Sequence, residues 1–120
     1  MQWAIDIVKL PRESGGYLLV MGDVGSGEIV LVTKINSTTE NSISEALAAS
    51  FEERHPSELL VDHVGVFHSE SVGELFKRKG IKLKLLSPYS ASVRGAVERM
   101  IRRALTEHRP NQVPPGQGLQ

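Results

Sequence analysis

Residues 59–103 read LLVDHVGVFHSESVGELFKRKGIKLKLLSPYSASVRGAVERMIRR. Short apolar runs alternate here with segments of helical spacing, the order of a sheet crossed by helices. Asp62 closes one apolar run, and Glu98 stands in the start of a helix 36 positions later (98 − 62). A third carboxylate, Asp6, interrupts the apolar run WAIDIV near the beginning of the chain. Hard divalent ions take oxygen ligands. Two such ions about 3.5–4 Å apart can activate the attacking oxygen and stabilise the leaving oxygen of a phosphodiester displacement. Three carboxylates placed this way suggest a metal site for that chemistry. Spacing alone does not single them out, because the chain has 14 acidic residues. Glu98 also fits an ordinary first-turn glutamate favoured by the helix dipole.

Within this stretch, Leu59–Val61 reads as a short buried strand ending at Asp62. Ser69 or Ser71 starts a helix that carries Val72, Leu75 and Phe76 inward and ends at Gly80. Ile81–Leu86 reads as a fifth strand, with Lys82 and Lys84 on the face opposite Ile81, Leu83 and Leu85. Ser87–Gly95 is small and polar and reads as a loop. The last helix is expected from about Gly95 to His108, with Val97, Ile101 and Leu105 as its apolar stripe and Ala104 beside them. Arg99, Arg102, Arg103 and Arg109 make up much of its remaining surface. Residues 110–120, PNQVPPGQGLQ, have the composition of a disordered tail, which leaves one domain over residues 1–109.

Upstream, Trp3–Lys9, Tyr17–Gly22 and Glu28–Ile35 read as strands. Asp6 is costly there if buried without a partner, and its plain alternative is an edge-strand or surface position. In the third strand, alternation puts Val30 and Val32 on one face and Ile29, Leu31 and Thr33 on the other. The glycine-rich GDVGSG has no following helix or lysine, so it reads as a hairpin and not as a phosphate loop. Thr38 or Thr39 can cap a helix to about Arg54, with Ile43, Ala46, Leu47 and Ser50 on one stripe, Phe51 beside them, and Pro56 beyond. The order predicts an α/β fold: a five-stranded mixed sheet, three antiparallel strands followed by βαβ units, flanked by helices.

The chain of 120 residues is 40% hydrophobic and 23% charged, values of a globular domain. It has no cysteine, which excludes disulfides and thiolate metal sites. Charged residues in the first fifteen positions give no signal-peptide pattern. The net charge of zero hides a split. Residues 1–76 carry 4 Lys/Arg against 12 Asp/Glu (−8), and residues 77–109 carry 10 against 2 (+8). A basic segment of this kind hints at a polyanion partner; the alternative is a set of solvated helix faces.

WAIDIVKLP, MGDVGSGEIVLV and LLVDHVGVFHSESVGELFKRKGIKLKLLSPYSASVRGAVERM together resemble the catalytic core of retroviral and long-terminal-repeat retrotransposon integrases. These are acidic-triad transposases of the ribonuclease H-like fold. The resemblance spans residues 3–108, and LPRESGG is similar to the gypsy-like branch. Its most specific pieces are Asp62 and Glu98 at their spacing, Phe67, the Lys-Gly-Ile before the fifth strand, and Pro88-Tyr89 followed by Gly95-Ala96-Val97-Glu98-Arg99.

The resemblance implies that Asp6, Asp62 and Glu98 are catalytic and ligate two Mg²⁺ or Mn²⁺ ions. It implies 3′-end processing by water and joining of the 3′-hydroxyl to target DNA, without a covalent enzyme intermediate. Tyr89, Arg94, Arg99, Arg102 and Arg103 are then the expected DNA-binding residues. The implied partners are the element ends, target DNA, and further copies in a homodimer or higher oligomer; no membrane is involved. The implied location is the nucleus, or the virus-like particle or cytoplasm of a host cell.

Three departures stand beside this resemblance. His63-Val64 replaces the usual Asn-Gly, and Ala91 stands where a second proline is usual. The third is that the family's later core helices and its flanking zinc and C-terminal modules have no counterpart in these residues. They favour the alternative of a catalytically weakened, integrase-derived DNA- or protein-binding module. A ribonuclease or junction nuclease of the same fold is a weaker option, because the segment from Tyr89 to Glu98 argues against it.

Overall fold

In a computed structural model, residues 1–62 and 65–107 are described. The apolar runs near the start pair as an antiparallel meander of β1 (Gln2–Lys9), β2 (Tyr17–Asp23) and β3 (Ile29–Ile35). Then α1 (Glu40–Ser50), β4 (Glu58–Val61), a short 3-10 helix (Gly65–His68), α2 (Glu70–Lys79), β5 (Lys82–Leu85) and α3 (Ala91–Glu107) follow. The sheet order is β3-β2-β1-β4-β5, with β4 parallel to both β1 and β5. This is the predicted five-stranded mixed sheet with flanking helices. No helix among the described residues is long and apolar enough to cross a membrane.

Alternation along β1 decides the two faces. Trp3 and Ile5 point into the core under α1 and α2, where they meet Ile43, Leu47, Phe51, Val72 and Phe76. Ala4 points the other way and packs with Leu60, Val97 and Met100 beneath α3. The aromatic centre is Trp3–Phe51–Phe76, with ring centroids 6.5 and 6.4 Å apart. Thr39 caps α1 through its Oγ1, which accepts from Ser42 N at 3.3 Å. Gly80 ends α2 at φ +70°, and its N–H donates to the Lys77 and Phe76 carbonyls. A side chain would be strained in that left-handed conformation.

Four local expectations change. The helix read to about Arg54 ends at Ser50, with Phe51 as its C-cap. Glu52, Glu53 and Arg54 have no apolar face to bury. Arg54 instead pairs with Glu28 at 2.9 Å and lies 5.5 Å from the Trp3 ring centroid. The segment read as a loop to Gly95 is helical from Ala91, because Ser90 starts α3: its Oγ accepts from Val93 N and its carbonyl from Arg94 N. Glu98 is therefore two turns into α3 and not in its first turn. In β3, a register shift between Met21 and Gly22 breaks the strict alternation. Ile29 and Val32 pack on the α3 side, and Val30 and Leu31 on the α1 side. Finally, Asp6 is not on an edge: β1 is the middle strand of the five. Residues 63, 64 and 108–120 lie outside the description, including His63-Val64, His108, Arg109 and the tail expected over 110–120.

Candidate active site

The parallel register of β1 and β4 pairs Ala4 with Leu60. Asp6 and Asp62 each lie two residues further along, so the two strands deliver their carboxylates side by side at one end of the sheet. This is where open α/β sheets collect ligands. Asp6 is half-buried, and its Oδ1 accepts from Ile7 N at 2.9 Å. Asp62 is exposed one residue past the end of β4.

Glu98 comes from α3, whose seat is a close approach to β2. A Cβ on Gly22 would overlap the Met100 sulfur and stand 2.7 Å from the Glu28 carbonyl oxygen. Glycine at position 22 is what lets the helix lie down there. Val97 and Met100 are buried in this contact, which leaves Glu98 exposed beside it.

Asp6, Asp62 and Glu98 all line one cleft of 420 Å³, together with Arg94, Arg102 and the apolar Leu86, Val97 and Ile101. Arg94, Glu98 and Arg102 are four residues apart on α3 and share one helix face. The cleft therefore joins three carboxylates to two guanidinium groups. All three acidic donors are hard oxygens, the donor type that suits Mg²⁺ or Mn²⁺. They surround a common space without forming a finished cage. Among the described residues, no three acidic or histidine side chains are grouped closely enough to hold an ion as they stand. Gathering three like charges is unfavourable unless a cation offsets them.

The five expected DNA-binding residues divide. Arg94 and Arg102 line the cleft. Arg94 also donates from Nη1 to the carbonyls of Ser87 and Tyr89, both at 3.1 Å. Tyr89 packs against the cluster under α3, and its hydroxyl accepts from Gln2 Nε2 at 3.4 Å. With Lys84, Leu85 and Pro88 it lines a separate depression. Arg99 lies against Gly95. Arg103 donates to the Gly27 carbonyl at 2.6 Å, tying α3 to the β2–β3 hairpin. Arg99 and Arg103 are not among the cleft-lining residues.

Two further carboxylates matter to the frame and escaped the sequence reading. Glu40, in the first turn of α1, accepts from Ser71 N at 2.7 Å and so links the starts of α1 and α2. Hydrogen bonding from the Ser71 hydroxyl, and then from its backbone N–H, holds Glu40 below the usual glutamate range. Its place beside the Thr39 cap was the available signal. Glu58 pairs with Lys84 at 2.8 Å. Its pKa is lowered by the hydrogen bonds from Lys84 and Gln2, and that of Lys84 is raised by the same pair. Lys84 thus braces the β4–β5 edge. Asp23 caps its own turn by accepting from Gly25 N and Ser26 N. Trp3 is fully buried, so it is core and not a stacking platform.

Comparison with solved structures gives the same architecture. The catalytic core domain of BIV integrase superposes with a TM-score of 0.76 at 19% identity, covering 94% of this chain and 74% of that one. The chain has the fold of an integrase catalytic core. A second match is a chain of the simian T-cell lymphotropic virus intasome in complex with the PP2A regulatory subunit B56 gamma. Its TM-score is 0.68 at 18% identity, covering 96% of this chain. The integrase-like core spans 44% of that longer chain. No family model matches the sequence, and neither does any curated protein.

Proposed function

We propose that this integrase-like core is a polynucleotidyl transferase that processes DNA 3′ ends and joins them to target DNA. The observation that supports it is the meeting of Asp6, Asp62 and Glu98, from three separate elements, around one cleft with Arg94 and Arg102. Asp6, on β1, Asp62, just past β4, and Glu98, on α3, would hold Mg²⁺ or Mn²⁺. Two such ions, when bound, would supply activation of the attacking oxygen and neutralisation of the leaving one. Arg94 and Arg102 orient the phosphodiester by charge-assisted hydrogen bonds. Further copies of the chain would supply more of the DNA contact.

The test uses a branched oligonucleotide in Mn²⁺. The wild-type chain is expected to resolve the branch, and Asp62→Asn to abolish that activity while staying folded. A folded wild type that neither cuts nor joins the branch, and whose Asp6 and Asp62 resonances do not broaden on addition of Mn²⁺, sinks the reading.

The exposed basic residues of α3, Arg94, Arg99 and Arg102, favour a second reading, a module that binds DNA without cutting it. Binding that weakens steeply with salt but ignores Mg²⁺ is its signature.

A further inference from the structure

A second cavity, of 280 Å³, opens on the α1 side of the same two aspartates. Asp6 and Asp62 line both it and the cleft under α3. Its walls are apolar where Ile7, Val66 and Phe67 contribute, and Lys9, Tyr17 and Thr38 complete them. Lys9 and Tyr17 are cross-strand partners, so their side chains leave the sheet on the same face next to each other. None of these six residues, Ile7, Lys9, Tyr17, Thr38, Val66 and Phe67, has a role in the proposed transfer reaction.

The volume is just under the range of about 300–1,000 Å³ usual for drug-sized ligands, so it suits one small flat group and not an extended segment. A partly apolar pocket with two aromatic rings, Tyr17 and Phe67, the Lys9 ammonium and the Thr38 hydroxyl matches a nucleotide in kind. The Tyr17 ring offers stacking to a base, the ammonium meets a phosphate, and the Thr38 hydroxyl meets a base edge. Continuity with the carboxylates fixes which nucleotide. A strand whose phosphodiester lies at Asp6 and Asp62 runs over Arg94 and Arg102 on one side and reaches this cavity on the other.

We infer that the cavity receives one unpaired nucleobase, from the nucleotide next to the reacting phosphodiester on the side away from Arg94 and Arg102. This rests on the proposed DNA reaction and adds to it a requirement for an unpaired base. A base paired in a duplex must first leave its stack, which costs stacking and pairing energy, so the site favours frayed or single-stranded ends.

The test binds the full chain to frayed-end oligonucleotides that carry 5-iododeoxyuridine at one position at a time. Ca²⁺ replaces Mg²⁺ so that no strand is cut. Irradiation is expected to crosslink Tyr17 from a single position or two adjacent ones, and an abasic nucleotide at that position to weaken binding roughly tenfold. Thr38→Trp fills the mouth of the cavity from an exposed position ahead of the α1 cap, leaving the core alone. It is expected to cut the Tyr17 crosslink several-fold. Binding without a Tyr17 crosslink, or a crosslink indifferent to Thr38→Trp, overturns the base pocket and leaves the carboxylate site standing. No binding of any oligonucleotide overturns both.

Discussion

Trp3, Phe51 and Phe76 fill the face of the sheet under α1 and α2, whereas Ala4, Val97, Met100 and Ala104 fill the face under α3. Large rings on the first face interlock with helices from both crossovers. On the second face Ala4, Gly22 and Ala104 let a single helix approach closely, and its flank from Arg94 to Leu105 borders the acidic cleft. The first face carries most of the apolar burial, and the second carries the candidate chemistry. Glu98 is therefore placed by the smaller of the two contacts, in which Gly22 lets Met100 close on β2 while Ala4, Leu60, Leu86 and Val97 pack around it.

That contrast can be broken at graded cost. Phe51→Ala removes the central ring of the aromatic row and should destabilise the fold by about 3–5 kcal/mol, read by urea denaturation. Gly22→Ala forces a methyl group into Met100 and should cost about 1–3 kcal/mol. Because it displaces α3, it should also lower DNA activity by more than its loss of folded protein explains. A stability change below ~0.5 kcal/mol would mean that α3 is not seated on that glycine.

Glu40→Gln tests the brace between α1 and α2 through pH. The folded pKa of Glu40 lies below its ordinary value, so its contribution is present above that ordinary value, 4.5, and is lost as pH falls through the folded one. Acid titration of wild type and Glu40→Gln should therefore converge at low pH, with wild type the more stable above. Identical curves throughout would remove the brace. The smallest stability effect belongs to Asp62→Asn: it changes an exposed side chain past the end of β4, so the shift should stay within ~0.5 kcal/mol while DNA chemistry is lost.

The sheet was legible in the sequence because its strands are apolar runs bounded by glycine, proline and charge. The pattern of Trp3, Ile5 and Ile7 against Ala4, Asp6 and Val8 already encodes two faces. The site was partly legible: Asp6 and Asp62 stand out as carboxylates attached to apolar runs, and the parallel register brings their strands together. The start of α3 was not legible, because Ser90, Ala91, Ser92 and Gly95 have the composition of a loop. In the fold, Ser90 begins the helix there by accepting from Val93 N and Arg94 N. Gly22 was equally silent, since its meaning depends on Met100, 78 positions away (100 − 22). The division among the arginines also depends on packing. Helical spacing groups Arg94 with Arg102, but only the fold shows that Arg103 is committed to Gly27.

One consequence follows from the bonds that Arg94 makes to the carbonyls of Ser87 and Tyr89. They clasp the backbone of the turn before α3 to the helix that carries Glu98, so the course of that turn and the footing of the helix are set by one side chain.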